Sequence, residues 1–227
     1  LPTEPVEGLT LTAVPPRENP QDVLVTHAGS CLADLPAGAR VGTGSRRRRS
    51  QLLHQRPDLQ IADIRGNVDT RLRKLDEGDY DAIILAAAGL IRLGFSERIR
   101  AFIEPDESLP AIGQGAIGIE CRSDDERIKA LIVPLHHSET STRLVAERAM
   151  NERLNGGCQV PIAGHATLDG EALTIHGLVG EPDGSKIIRA SRSGPTSEAI
   201  SLGTAVADEL LANGADAILK KLYAADE

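Results

Sequence analysis

The stretch Val41-Gly42-Thr43-Gly44-Ser45, followed by four arginines at positions 46–49, decides the fold class of this chain. Glycine and hydroxyl residues at the end of an apolar segment are typical of a strand that runs into a helix, with Ser45 as the helix cap. The pattern returns at 65–67, after the apolar segment 59–64, and at 86–89, after the apolar segment 82–85. Three successive strand-to-helix junctions predict an α/β domain with a mostly parallel sheet.

The pattern around these junctions predicts a series of short elements. They are helix 21–25, strand 40–42, helix 47–55, strand 59–64, helix 67–76 and strand 82–85. Segments 9–14 and 112–120 are strand-like and flank this unit, so the chain is predicted to enter it from another domain and to return there. We therefore assign residues 1–20 and 110–134 to the remnant of a first domain, and residues 21–109 to a second, anion-binding α/β domain.

Residues 135–227 are predicted to form a third, α+β domain. A helix is expected from Ser138 to Leu154, and strands at 160–168, 173–179 and 186–193 alternate apolar and polar residues. Asp169-Gly170 and Asp183-Gly184 are hairpin turn signals between these strands. A last amphipathic helix over 197–212 would end at Asn213-Gly214. The expected domain therefore has a three-stranded sheet and two or three helices.

Arginine is concentrated in the second domain. Residues 40–73 contain nine arginines, three aspartates and no lysine, a formal charge of +6 in a chain of net charge −8. Arginine makes bidentate contacts with carboxylates and phosphates, and helix N-termini also favour anions. The pattern predicts a ligand with several carboxylates or phosphates, and places Arg47 and Arg65 at the ligand face rather than in a core. Nucleic acid is disfavoured, because the chain has two Phe, two Tyr and no Trp for base stacking.

The composition is that of a globular protein, with 41% hydrophobic and 26% charged residues and no apolar run of membrane-spanning length. Cys31, Cys121 and Cys158 have no metal-ligand spacing, which favours a reducing, cytoplasmic location over a disulfide framework. Nothing near His136-His137 completes a metal site, so no metal is expected. Cys121 lies in a strand-like run and is expected to be buried.

Cys158 lies in the loop Gly156-Gly157-Cys158-Gln159-Val160-Pro161, directly after the predicted helix. A glycine pair ends the helix and leaves the thiol reachable from solvent. Two interpretations are open: a free cysteine without a role, or a chemical anchor. The arginine-rich segment favours the anchor.

In their order along the chain, these stretches resemble the hydroxymethylbilane synthase (porphobilinogen deaminase) family. The matching motifs are residues 41–45 with 47–48, 59–72, 80–86, 89–90 with 92–94, 109–111 with 113–116, 119–122, 147–149 and 156–161. The resemblance implies three domains, of which two are α/β domains like periplasmic binding proteins, the first incomplete here, and the third is the α+β domain.

The family joins four porphobilinogen molecules into a linear tetrapyrrole and releases ammonia at each step. The resemblance implies a dipyrromethane cofactor bound through a thioether to Cys158. It further implies that Thr43, Ser45, Arg47, Arg48 and Arg65 bind the cofactor, and that Arg71, Arg92 and Gln114 bind substrate. Arg46 and Arg49 match no family motif, and Gly44 stands where the family often has serine.

The family's catalytic aspartate would precede Leu1, so no catalytic residue is assigned in this chain. We expect the chain alone to be inactive, and strands 9–14 and 112–120 to lack sheet partners unless a separate chain supplies the missing segment. The expected partners are porphobilinogen and the growing polypyrrole, bound by a monomer without nucleic acid or membrane. The alternative is a non-catalytic anion-binding module of the solute-binding-protein type.

Overall fold

The structure is a computed structural model that describes residues 6–157 and 160–226. The strands are β1 (Leu9–Ala13), β2 (Asp22–Thr26), β3 (Arg40–Gly42), β4 (Gln60–Ala62), β5 (Ala82–Ala86), β6 (Ala101–Ile103), β7 (Ile119–Arg122), β8 (Ile162–Asp169), β9 (Ala172–Gly180) and β10 (Ile187–Pro195). The α-helices are α1 (Arg46–Gln55), α2 (Val68–Asp76), α3 (Ala87–Arg92), α4 (Glu126–Ile132), α5 (Ser138–Arg153), α6 (Ala199–Leu210) and α7 (Asp216–Asp226).

A five-stranded sheet in the order β4-β3-β5-β2-β6 forms the α/β unit. Strand β3 runs parallel to β4 and β5, and each of the three is followed by a helix. The three predicted strand-to-helix junctions therefore lie at one edge of the sheet. Strand β2 is antiparallel to both β5 and β6, so the sheet is mixed and the prediction of a mostly parallel sheet is right for one half only.

The helix predicted over 21–25 is wrong, because this segment is strand β2. Val23 and Val25 pack into one hydrophobic cluster of the unit, and Leu24 packs into the cluster on the other face of the sheet. A strand covered on both faces is apolar throughout and lacks the alternation that marks a half-exposed strand. The hydrophobic periodicity of this segment therefore could not distinguish a strand from a helix.

The C-terminal unit has the expected three-stranded sheet, antiparallel and in the order β10-β9-β8. Helices α5 and α6 cover one face, where Met150, Ile175 and Val206 belong to the largest buried cluster described. Gly177 permits the close approach of α5 to β9, since a Cβ atom there would lie 2.6 Å from the Met150 sulfur. Helices α6 and α7 are separated by a kink at Gly214 (φ 104°), where the sequence predicted a helix end.

Strands β1 and β7 form a two-stranded antiparallel ribbon in which Leu9 pairs with Arg122. The prediction for 112–120 was wrong in extent, because residues before Ile119 form turns with positive φ at Gly113 and Gly115. The two segments expected to lack partners pair with each other. Cys121 is half-buried rather than buried, with its Sγ 2.9 Å from Thr12 Oγ1.

Across residues 6–157 and 160–226, no helix has both the length and the apolar character needed to cross a membrane.

Candidate functional site

A cleft of about 980 Å³ lies between the α/β unit, the β1–β7 ribbon and the C-terminal unit. Its walls come from β1, the start of α1, the loop after Leu109, the inner face of α5 and the end of the loop that follows α5. The lining residues that the sequence analysis had singled out are Ser45, Arg47, Gly156 and Gly157. Segments distant in sequence thus meet around one space.

The start of α1 is shaped by two hydroxyl groups. The Ser45 Oγ accepts a hydrogen bond from the Arg48 backbone N–H at 3.3 Å, which caps the helix. Thr43 is buried, and its Oγ1 accepts from the Ser45 N–H at 3.2 Å. Both predicted ligand-binding hydroxyls therefore stabilise the turn. Ser45 also lines the cleft, where the positive end of the helix dipole favours an anion.

Asp22 is the centre of a buried cluster of charges in the α/β unit. The Arg47 Nη1 donates to its Oδ2 at 2.7 Å and Arg47 Nη2 to its Oδ1 at 3.0 Å, while Arg48 Nε donates to Oδ1 at 2.9 Å. Asp22 is fully buried, and Arg47 and Arg48 are 4% and 9% exposed. Burial acts to raise the pKa of Asp22, but the charges of Arg48 and Arg47 outweigh it and hold this pKa well below its usual range.

Gln114 and Ser108 complete this cluster. The Gln114 Nε2 donates to Asp22 Oδ1 at 3.0 Å, and the Ser108 hydroxyl donates to Asp22 Oδ2 at 2.9 Å. Arg47 also donates to the Leu109 carbonyl at 2.7 Å. Arg47 also lines the cleft, yet most of its donors are used inside the protein by the Asp22 carboxylate on β2, so the prediction that it contacts a ligand stays a prediction.

A second buried ion pair joins the C-terminal unit to the chain before β2. Arg17 Nη1 and Nη2 donate to the two carboxylate oxygens of Glu147 at 2.6 and 3.2 Å. Glu147 also accepts from the Gly113 N–H at 2.7 Å and the Ala166 N–H at 2.9 Å. Burial acts to raise the pKa of Glu147, and the neighbouring His165 and Arg17 side chains more than offset it, so the pKa lies below its usual value.

The other predicted arginines lie along the edge of the sheet and outside the cleft lining. Arg65 and Arg92 are exposed, the first at the junction after β4 and the second at the end of α3. Arg71 is half-buried, and its Nε donates to the Gly66 carbonyl at 2.8 Å. The charge of Arg71 is the smallest of the causes that lower the pKa of Arg48, after burial and Arg47.

Cys158, the predicted cofactor anchor, lies outside the described residues, as does Gln159. The two glycines before it do line the cleft. The Asn151 side chain donates to the Gly156 carbonyl at 3.1 Å, and a Cβ atom built on Gly157 would meet only open space. Within the described part of the chain, no group of three His, Cys, Asp or Glu side chains could hold a metal ion.

Sequence reasoning missed two features of this region. Asp22 was not recognised as the partner of the arginine pair, although it is the only charged residue in the segment Asp22–Thr26, and a lone charge in an apolar strand is a signal for a buried pair. Arg148 lies on the cleft wall beside Asn151 and was noted only as part of a motif. The sequence does not show which side of α5 faces the cleft, so the position of Arg148 could be identified only from the tertiary structure.

Two protein-family models match the chain. The model described as "Porphobilinogen deaminase, dipyromethane cofactor binding domain" matches residues 1–130, and "Porphobilinogen deaminase, C-terminal domain" matches residues 141–212. Together they cover most of the sequence.

Solved structures with low sequence identity to this chain include three binding proteins. A putative methionine-binding lipoprotein from Bacillus subtilis is 14% identical, with 59% of this chain and 63% of that chain covered and a TM-score of 0.39. An arginine-specific periplasmic binding protein from Salmonella typhimurium is 17% identical (53% and 55% covered, TM-score 0.33), and a periplasmic substrate-binding protein of an ABC transporter from Coxiella burnetii is 16% identical (60% and 65%, 0.37). The match spans less than two thirds of the length of each of these structures, and no ligand is carried over from them.

Proposed function

The chain belongs to the porphobilinogen deaminase family, and on that premise we propose that it serves in hydroxymethylbilane synthesis, in which four porphobilinogen molecules become a linear tetrapyrrole and ammonia is released. The observation that carries the proposal is the cleft in which the start of α1 faces the glycine pair before Cys158. The N-terminus of α1, which favours anions, and the glycine pair of the predicted anchor loop border this one cleft.

The residues around the cleft fit a dipyrromethane cofactor bound through Cys158. Cys158 is one peptide bond from Gly157, which has open space around it and lines a cleft of about 980 Å³. Each pyrrole ring carries carboxylates, and Ser45 at the α1 N-terminus and Arg148 on α5 are the polar groups of the wall that suit them. When bound, the cofactor supplies the covalent anchor for the growing chain.

Each predicted site residue then has a proposed task. Thr43 and Ser45 shape the start of α1, and the pair Arg47 and Arg48, held by Asp22, gives this region its positive charge. Gln114 keeps the loop beside the cleft in place through Asp22. Three arginines along the edge of the sheet offer guanidinium groups to the carboxylates of cofactor and substrate: Arg65, Arg71 and Arg92.

Cellular location and assembly are also part of the proposal. Cys31 and Cys121 are free thiols, in agreement with a reducing, cytoplasmic compartment. We infer a monomer that binds porphobilinogen and the growing polypyrrole.

The proposal is tested by locating the covalent adduct on the chain. The purified chain is incubated with porphobilinogen, and intact mass and peptide mapping locate any adduct. We expect the adduct on Cys158 and none on the half-buried Cys121. Cys31 is the internal control, because it is exposed and would react first in non-specific alkylation.

The matched variants are Cys158→Ser, which should lose the adduct, and Cys31→Ser, which should keep it. An adduct on Cys31 or Cys121 would contradict the assignment. Reversible dicarboxylate binding without any adduct would instead favour a non-catalytic anion-binding module. Formation of the adduct itself releases one ammonia for each porphobilinogen attached. Ammonia released beyond that amount measures turnover, for which the sequence predicts none from this chain by itself.

A further inference from the structure

A second cavity, of about 470 Å³, lies on the outer face of the C-terminal sheet, under the segment that connects β6 to the loop beside the cleft. Its walls include Asp106 and Leu109 of that segment and His165, His176 and Arg189 of the sheet. It shares no lining residue with the cleft. The cavity has no part in the proposed function.

The strand register brings the basic side chains of this cavity to one face. His165 on β8 pairs directly with His176 on β9, which pairs with Ser191 on β10. Arg189 lies two residues from Ser191 on the same strand, so it points to the same side of the sheet. Two imidazoles, a guanidinium and the Ser191 hydroxyl thus surround one space.

His165 is buried, at 7% exposure, without a hydrogen-bond partner for its Nδ1. This atom lies 3.5 Å from Glu147 Oε1, which is engaged by Arg17 and by the Ala166 N–H. A buried polar group without a partner costs free energy, which a ligand in the cavity can recover.

The carboxylates near the cavity have partners or face solvent. Glu147 is shared between Arg17 and His165, and Glu209, which lines the cavity, lies 2.6 Å from Arg192. Arg189 donates to the backbone carbonyl of Asp106, at 3.1 Å, and the Asp106 carboxylate is exposed to solvent.

The basic groups also repel one another. Burial, the neighbouring His165 and, to a smaller extent, Arg189 hold the pKa of His176 below its usual value, while Asp106 acts in the opposite direction. Partial desolvation likewise lowers the pKa of Arg189, whose side chain remains in part exposed. An anion between these groups would reduce both penalties.

The wall of the cavity formed by the segment around Leu109 is fixed by hydrogen bonds. The Leu109 N–H donates to Gln51 Oε1 at 2.7 Å, and its carbonyl accepts from Arg47 Nη1 at 2.7 Å and Gln51 Nε2 at 3.1 Å. The adjacent Ser108 is bonded to Asp22. A wall with its polar groups already paired does not need to rearrange on binding, which lowers the cost of association.

We propose that this cavity is a binding site for a small oxyanion, a phosphate or carboxylate group, held by His165, His176 and Arg189. The segment 105–109 over the cavity is the same segment that contacts the Asp22 cluster. An anion bound here therefore braces the connection between the α/β unit and the C-terminal sheet. The inference is independent of the proposed function, because none of the three proposed anion-binding residues lines the cleft.

The test is a calorimetric titration of the full chain with inorganic phosphate and, separately, with succinate. We expect saturable one-site binding that is tighter at pH 6 than at pH 8, because a bound anion favours the protonated form of His176, whose pKa lies below its usual value in the free protein. Phosphate bound more tightly than succinate would identify a phosphate site, and the reverse a carboxylate site. The absence of saturable binding by either anion at pH 6 would overturn the proposal.

Variants assign the binding to this cavity. Arg189→Gln removes an exposed side chain and should weaken binding by about tenfold or more, the usual effect of losing a charge-assisted hydrogen bond. His165→Gln should weaken it as well. Lys220→Gln is the charge-matched control, since it removes one positive charge from an exposed pair on α7 of the same unit and should leave binding unchanged.

Unchanged affinity in Arg189→Gln, or an equal loss in Lys220→Gln, would place the anion elsewhere. Because the Arg189 side chain is exposed, its variant should fold even if His165→Gln does not.

Discussion

At the scale of single residues, Asp22 decides what two of the predicted ligand-binding arginines do. It accepts hydrogen bonds from Arg47, Arg48, Gln114 and Ser108 in a fully buried position. Two adjacent guanidinium groups could not remain in the interior without a nearby negative charge. A carboxylate on β2 thus acts as the permanent counterion of the helix that begins beside the cleft.

Asp22→Asn should therefore destabilise the fold. Losing one partner of a buried ion pair costs about 3–5 kcal/mol, because the remaining charge is left uncompensated. The measurement is the free energy of unfolding from urea denaturation followed by circular dichroism. Asp58→Asn is the control: this carboxylate also forms a bidentate pair, with Arg56, but at the protein surface, and the change should have little effect. Equal stability of Asp22→Asn and the unsubstituted chain would show that the buried cluster is not what holds α1.

At the scale of elements, the loop over 111–116 connects the two buried ion pairs. The Gly113 N–H donates to Glu147, the Gln114 carbonyl accepts from Arg17, and the Gln114 side chain reaches Asp22. The Gly115 carbonyl accepts from the Glu18 N–H at 3.0 Å. Gly115 packs its backbone against Glu18 at a positive φ, and Gly113 also has a positive φ, so both positions favour glycine.

Gly115→Ala tests that packing. Gly115 has φ 82°, and a Cβ atom would lie 2.5 Å from the Glu18 carbonyl oxygen. Gly78 is the matched control, since it has the same φ and nothing within 4 Å of its Cβ position. Gly78→Ala should cost about 1–2 kcal/mol for the left-handed backbone alone, and Gly115→Ala about 3 kcal/mol or more. The unfolding free energies of the two variants are compared directly, and equal losses would mean that the loop can shift away from Glu18.

At the scale of the whole molecule, titratable groups whose pKa values are lowered in the folded protein make stability depend on pH in two ranges. The pKa of His176 lies below its ordinary value of 6.5, so the unfolded chain binds this proton more tightly than the folded protein does. The pKa values of Glu147 and Asp22 lie below their ordinary values of 4.5 and 3.8, so these carboxylates stabilise the folded state above those values. Protonation opposes folding in both cases, and stability falls with falling pH.

We therefore expect a shallow loss of stability as the pH falls from 6.5 and a steep loss below about 4.5, where carboxylates in buried ion pairs begin to take up protons. Urea denaturation midpoints measured from pH 8 to pH 3 show both ranges. In His176→Gln the shallow loss should be smaller while the steep loss remains. A stability that rose as the pH fell from 6.5 to 5 would contradict the sign of the His176 effect.

The sequence alone determined the local elements and the outline of the site. Glycine turns, capping residues and alternation predicted the three strand-to-helix junctions, helix α5 and the three-stranded C-terminal sheet, because these depend on residues a few positions apart. The ordered motifs also led to the family. Only the tertiary structure showed that 22–26 is a strand, that 9–13 pairs with 119–122 and that Arg47 and Arg48 face Asp22. A buried strand has no distinguishing period, and the partner of a buried charge is set by which distant segments meet when the core forms.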